Sequence, residues 1–217
     1  MPIVLSDVLN ATEAKVLYDA ACALSYEDGR KTAGLTARRV KDNLQAIAGV
    51  ETEAVLEKVR QSLIRHPVFN AVAYPKGFAR MIVSRTEGGG HYGDHVDNAV
   101  MGGARTDLSF TLFLSPSEEY DGGELTICDR LEDRQVKLGR GEVVVYPSTT
   151  LHRVEPVTRG TRLVVVGWIT SLVRDAAQRE VLFDLWQAIT RAEAAEDAAQ
   201  VQLLSKSRSN LLRMWAG

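Results

Sequence analysis

The chain predicts an α+β fold, a sandwich or jelly roll of short strands flanked by N-terminal helices and extended by helices at the C-terminal end. Three observations carry that expectation. Between about residues 80 and 170 the apolar residues fall in short β-rich runs, "RMIVSRT", "TDLSFTLFLS", "GELTIC", "RQVKL", "EVVVYP", "LHRVEPV" and "TRLVVVGWIT". Turn formers such as Asp121-Gly122-Gly123, Gly139-Arg140-Gly141 and Arg159-Gly160 separate them. No helical run interrupts the block, which disfavours alternating βαβ units, and on either side of it the spacing turns helical.

From the N-terminus, Val16, Leu17, Ala20, Ala21 and Leu24 share one helical face behind Thr12, a residue type able to cap a first turn. A second helix is expected over Thr52 to Arg65, ending before Pro67, with His66 at its end. Glycines 88 to 90 read as a loop turn that could carry a lid, and Gly122-Gly123 as a hairpin turn. In "TRLVVVGWIT" both faces are apolar, Leu163, Val165 and Ile169 on one and Val164, Val166 and Trp168 on the other, so this strand is covered on two sides. From Arg174 onward helical spacing returns through Val181, Leu182, Leu185, Trp186 and Ile189, and again through Val201, Leu204, Leu211, Leu212 and Trp215; "RAEAAEDAAQ" between them is either helix or hinge. The resulting division is 1–78 as a helical support region, 79–172 as the β core and 173–217 as a helical extension.

With 217 residues, 45% of them hydrophobic and 25% charged, the composition is that of an ordinary soluble globular protein. A formal charge of −2 argues against a broad nucleic-acid footprint. Cys22 and Cys128, the only cysteines, form no CxxC pair and read as small core residues. No basic leader or run of 18 apolar residues occurs, so no membrane and a cytoplasmic location are expected.

The chemistry is concentrated around "HYGDHVDNAV", residues 91 to 100. In a strand, positions i and i+2 project from one face, so His95 and Asp97 can offer an imidazole and a carboxylate to one point. His152, 57 residues later, is a third donor that jelly-roll pairing can bring alongside. Two histidines and one carboxylate with open positions opposite are the arrangement of non-haem Fe(II) oxygenases. Arg162 shares a strand face with Val164, Val166 and Trp168; directed inward, its guanidinium needs an anionic partner. A 2-oxo acid chelating the metal at one end and presenting a carboxylate to Arg162 at the other is 2-oxoglutarate.

With these residues in place, "HVD", "YDGGELTICDR", "VVVYPSTTLHRVEPVTRGTRLVVVGWI", "DGRKTAG" and "VKDNLQ" resemble the bacterial PKHD-type hydroxylases of the Fe(II)/2-oxoglutarate dioxygenase superfamily, over nearly the whole chain. The resemblance implies a double-stranded β-helix core, His95, Asp97 and His152 as ligands of Fe(2+), Arg162 as the 2-oxoglutarate anchor, and L-ascorbate to keep the iron ferrous. It also implies oxidative decarboxylation of 2-oxoglutarate to succinate and carbon dioxide, coupled to hydroxylation of a small-molecule or peptidyl substrate by O2. Retention of the carboxylate Asp97 favours hydroxylation over halogenation. Two positions depart from the pattern: Arg85-Thr86 stands where some relatives have a tyrosine, and Phe113 where prolyl hydroxylases have one near the distal carboxylate. Tyr92 is the candidate for a substitute contact.

Competing readings are a non-enzymatic jelly-roll sensor of metal or 2-oxoglutarate, and a cupin-like metalloenzyme that uses no 2-oxoglutarate. For Arg162 the plainer role is an ordinary salt bridge. His91 reads as a rim residue and not a fourth ligand, and Trp186 and Trp215 as packing residues. "RSNLLRMWAG" could cover a partner subunit in a possible homodimer.

Overall fold

In the computed structural model, residues 2–32, 38, 40–129 and 131–217 are described; Ala33 and Gly34 of the "DGRKTAG" stretch and Arg130 of "YDGGELTICDR" lie outside them. The N-terminal part runs Ile3–Leu5 (β1), Ala11–Cys22 (α1), Tyr26–Asp28 (β2), Lys41–Asp42 (β3), Leu44–Ala46 (β4), Val50–Arg65 (α2) and Pro67–Ala73 (α3). The central part begins with Pro75–Glu87 (β5), His91–His95 (β6), Val100–Met101 (β7), Ala104–Arg105 (β8), Leu108–Phe113 (β9) and Asp121–Gly122 (β10). It continues through Leu125–Cys128 (β11), Asp133–Val136 (β12), Val143–Pro147 (β13), His152–Val154 (β14), Val157–Arg159 (β15) and Thr161–Ser171 (β16). Two helices follow, Ala176–Ala194 (α4) and Ala198–Trp215 (α5).

The strands form a seven-stranded sheet, β1-β13-β9-β16-β5-β4-β2, and a five-stranded sheet, β12-β11-β14-β6-β3, all pairings antiparallel. One face of the larger sheet, through Val83, Phe110, Leu112, Val143, Leu163 and Val165, packs on Leu17, Val59, Leu63 and Phe69 of the first three helices. Each fully buried side chain of this kind contributes roughly 1.5–3 kcal/mol. The opposite face meets the smaller sheet, where Phe113, Val144, Tyr146 and Val164 pack on Leu125, Ile127 and Val136. Thus β16 is covered on both faces, as its doubly apolar sequence predicts, and the sandwich is the expected jelly roll.

Several local expectations are corrected. Helix α1 is capped by Asn10 and not Thr12: the Glu13 amide donates to Asn10 Oδ1 at 2.9 Å while Glu13 Oε2 accepts from the Asn10 amide at 3.1 Å. His66 ends α2 and also begins α3, its Nδ1 accepting from the Phe69 amide at 3.3 Å. The N-terminal region is not only helical, since β1, β2 and β4 extend the larger sheet and β3 the smaller. Cys22 is exposed and Cys128 half-buried, so neither is a core residue. Gly122 and Gly123 do take positive φ (73° and 67°), but they lead from β10, paired with β15, into β11, paired with β12 and β14; this is a change of sheet and not a hairpin. "RAEAAEDAAQ" is helix and break at once: α4 ends at Ala194 with Ala195 as its cap, Glu196 takes φ 55°, and Asp197 caps α5 by accepting from the Gln200 amide.

Candidate active site

The two histidines meet because β14 and β6 are neighbours and their register sets His152 directly opposite His95. Strand pairing thus closes a separation of 57 positions in sequence. Strand β6 stops at His95, so Asp97 is not on the strand as the i, i+2 argument assumed; it lies in the segment just beyond and turns back toward the imidazoles. His95 Nε2 lies 4.0 Å from Asp97 Oδ1, and His152 Nε2 lies 3.8 Å from Asp97 Oδ2. One donor atom from each of the three residues falls within 4.8 Å of the others, a spacing at which a single cation can touch all three.

Their orientation is fixed from behind. His95 Nδ1 is 2.8 Å from the Gly93 carbonyl and His152 Nδ1 is 2.9 Å from the Thr150 carbonyl, so both Nδ1 atoms carry the proton and both Nε2 lone pairs face inward. Ser109 Oγ donates to Asp97 Oδ2 at 2.6 Å and sits 2.8 Å from Ser148 Oγ. Burial, and then the neighbouring His152, push the His95 imidazole down to about 4, keeping it neutral and able to donate a lone pair at neutral pH. Tyr92 stacks on His95 at 3.5 Å between ring centroids, and burial raises its hydroxyl well above the usual range.

A cavity of about 250 Å³ opens beside the three donors. Its floor is the inner face of β16 and β5, where register pairs Arg162 with Thr86, Val164 with Ser84, Val166 with Ile82 and Trp168 with Arg80. Arg162 ends this row in the interior, only 2% exposed. Among the described residues no carboxylate pairs with it, which removes the plain salt-bridge reading, and its Nε is buried with no hydrogen-bond partner. An unpaired buried guanidinium is costly unless something else satisfies it. Burial lowers its pKa from the ordinary arginine value, with Tyr120 and Tyr146 opposing the shift.

Three residues surround Arg162, of which Phe113 and Gly123 were noted in the sequence for other reasons and Tyr120 was not noted at all. Phe113 lies with its ring centroid 5.4 Å from the guanidinium carbon, where a tyrosine was noted as missing. Tyr120 supplies a hydroxyl to the same neighbourhood instead; it is buried, and burial raises its pKa while the Arg162 guanidinium beside it opposes the shift. Gly123, at φ 67°, leaves room for both, since a Cβ there would come within 2.9 Å of Arg162 Cδ and 3.2 Å of Tyr120 Cε2. Its position inside "YDGGELTIC" was visible, but its role is set by a side chain 39 residues away. His91 lies outside the three-donor group, as expected, and the Gly88-Gly89-Gly90 turn is pinned by bonds from Gly89 N to the Val157 carbonyl and from Val157 N to the Gly90 carbonyl.

Comparison with known proteins agrees with this geometry. Residues 80–170 match the model of the 2OG-Fe(II) oxygenase superfamily, which defines the class, and residues 176–217 match the PKHD-type hydroxylase C-terminal domain. A PKHD-type hydroxylase of Acaryochloris marina is 46% identical with all of both chains covered, and one of Maricaulis maris is 45% identical over 100% of this chain and 99% of that one. The chain belongs to the PKHD-type hydroxylase family. It is therefore an Fe(II)- and 2-oxoglutarate-dependent dioxygenase, in a family for which ascorbate is typical. Among solved structures, a prolyl-4-hydroxylase from Pseudomonas putida shares the fold (TM-score 0.56, 20% identity, 78% of this chain and 92% of that one). So does a viral collagen prolyl hydroxylase from Paramecium Bursaria Chlorella virus-1 (0.55, 19%, 78% and 96%).

Proposed function

We propose that His95 Nε2, Asp97 and His152 Nε2 hold the Fe(II), and that Arg162 receives the distal carboxylate of 2-oxoglutarate. The observation that carries this reading is the convergence of those three donors at the wall of a cavity whose inner end is a guanidinium with no carboxylate of its own. The donor set suits the ion, with two neutral nitrogens and one carboxylate oxygen grouped toward the cavity. When bound, iron and 2-oxoglutarate together supply the oxidising chemistry, forming succinate and carbon dioxide while the substrate is hydroxylated.

The chain's own part is positional. The Gly93 and Thr150 carbonyls hold the imidazole tautomers, and Ser109 aims the Asp97 carboxylate. Arg162 orients the co-substrate along the cavity, with the Tyr120 hydroxyl beside it and Tyr92 as a further contact at the metal end. Val166 and Leu125 line the walls and limit water. The substrate is a small molecule or a peptidyl group; the prolyl hydroxylases that share the fold support the second class, and the cationic side chains of Lys41 and Arg80 lining the cavity support the first.

The same reading keeps 1–78 as a support region, 79–172 as the catalytic core and 173–217 as a helical extension. No helix among the described residues is long and apolar enough to cross a membrane. The proposal keeps a cytoplasmic location, and the formal charge of −2 supports the expectation of no nucleic-acid partner. Exposed Leu203 and Met214 on α5, which has no buried residue, support a homodimer contact.

The decisive experiment follows succinate formation and oxygen uptake with Fe(II), 2-oxoglutarate and ascorbate. Stoichiometric production is expected, weakened steeply by Arg162→Ala. A sensor would bind 2-oxoglutarate and produce no succinate. A cupin-like enzyme would leave Arg162→Ala fully active.

A further inference from the structure

We propose that the outer end of the cavity is an anion-binding subsite built by Lys41 and Arg80, and that the substrate is a small organic acid whose carboxylate or phosphate docks there. This rests on the proposed iron and 2-oxoglutarate assignment and goes beyond it by naming the substrate's charge.

Lys41 lies on β3, paired opposite Tyr92, and lines the cavity although it is only 9% exposed. Its Nζ makes no hydrogen bond and no ion pair with any described residue, and it lies over the Tyr92 ring, 5.1 Å from the centroid. Arg80 sits on β5 directly opposite Trp168, lines the same cavity, is exposed, and likewise has no carboxylate partner among the described residues. The Trp168 indole Nε1 is buried with no acceptor. Three donors, two of them charged, therefore border one space with nothing to donate to.

The charge balance points outward from the metal. Among the described residues Asp97 is the only carboxylate lining the cavity, and it is committed to the cation. The dianion 2-oxoglutarate offsets Arg162 together with the charge that Asp97 leaves on the metal. Among the described residues lining the cavity, Lys41 and Arg80 are then the fixed charges left with no counterpart. Burial and the neighbouring Arg80 hold the Lys41 ammonium down at about 8, opposed by Asp97 and Asp28. Burying an ammonium beside a guanidinium is unfavourable in the free protein, and an arriving anion relieves it. An internal peptidyl proline, whose backbone is neutral, offers no such relief; a free acid does.

The test uses full-length protein carrying Mn(II) in place of Fe(II) and saturated with 2-oxoglutarate, so that Arg162 is already occupied. Calorimetric titrations compare inorganic phosphate, a panel of N-acetyl amino acids, and the neutral amides of those acids. At least one anionic probe is expected to bind, and the acids about tenfold more tightly than their amides, the order expected of a charge-assisted hydrogen bond. Lys41→Met with Arg80→Gln is expected to erase that preference while Mn(II) and 2-oxoglutarate affinities stay within about threefold. Arg80→Gln alone, at an exposed position where folding is not at stake, reduces the preference in part. Preference for the phosphate identifies a phosphorylated substrate, and preference for the acids a carboxylate. Equal binding of acids and amides, no binding by any anion, or loss of 2-oxoglutarate affinity in the variants in place of acid preference overturns the proposal. Failure of the wild-type protein to bind Mn(II) or 2-oxoglutarate instead overturns the underlying assignment, and the subsite falls with it.

Discussion

The outer face of the five-stranded sheet and the inner face of the seven-stranded sheet treat charge in opposite ways. On the solvent side, Arg153 is surrounded by carboxylates, Glu155 at 2.7 Å, Asp133 at 3.0 Å and Asp94 at 3.4 Å, and the bonds to Glu155 and Asp133 raise its pKa above the ordinary arginine value. Across the cavity on the inner side, Arg162 has none. Both are arginines on strands near His152, yet one is satisfied within the chain and the other is left waiting. A cation that the fold neutralises serves the fold. A buried cation that the fold leaves alone serves a ligand, because only a ligand repays its desolvation.

This contrast can be broken at several points, the strongest first. Asp97→Ala or His152→Ala removes one of three inward donors, and Mn(II) affinity measured by electron paramagnetic resonance is expected to fall by about 100-fold or more, above the cost of losing an outer partner. Arg162→Met is expected to weaken 2-oxoglutarate binding by about 100-fold, in the range for truncating one partner of a buried charge pair. The same substitution leaves the thermal midpoint of the co-substrate-free protein unchanged or higher, since it removes an unpaired buried cation. A lower midpoint with unaltered 2-oxoglutarate affinity would show Arg162 to be structural.

The inner face also predicts a pH dependence. In the metal-free folded protein burial and His152 hold His95 down at about 4, whereas its unfolded value is about 6.5. Between those values the unfolded chain takes up a proton that the folded chain refuses, so stability falls as pH drops through that window and levels below it. The integrated loss is about 3 kcal/mol, or about 6–12 °C in thermal midpoint for a chain of this size. His95→Gln should flatten the corresponding part of the profile, and an unchanged slope would refute the assignment to His95. The smallest effect is expected on the solvent face. Arg153→Met should cost about 1 kcal/mol or less, diminish further in high salt, and leave 2-oxoglutarate affinity untouched.

What could be read from the residues was whatever depended on alternation over a long strand. The two apolar faces of β16, and hence the inward direction of Arg162, follow from eleven residues of period two. His95 and His152 were recognisable as donors by type and by family pattern, and pairing of β6 with β14 supplied their meeting. The i, i+2 reasoning reached the right residue at Asp97 by the wrong route, because the strand ends at His95. Lys41 escaped notice for a physical reason: a two-residue strand has no period to detect, so nothing local says that its side chain enters a cavity. Tyr120 and Gly123 escaped for another, since their service to Arg162 arises only where β10 gives way to β11. Cys22 misled because it is the last residue of α1, where the helical pattern gives no sign that the side chain is left exposed.

The β14 register, which sets His152 against His95 and shifts before Val154, makes the site a matter of parity. Adjacent strand residues face opposite ways, so His152 and Arg153 are the two sides of a single coin. Sliding this short strand by one step would turn the imidazole out to water and bring in a guanidinium, like charge toward like, where a cation is meant to lie. Misalignment here is self-punishing, and the enzyme has its own proofreading against an odd-numbered slip.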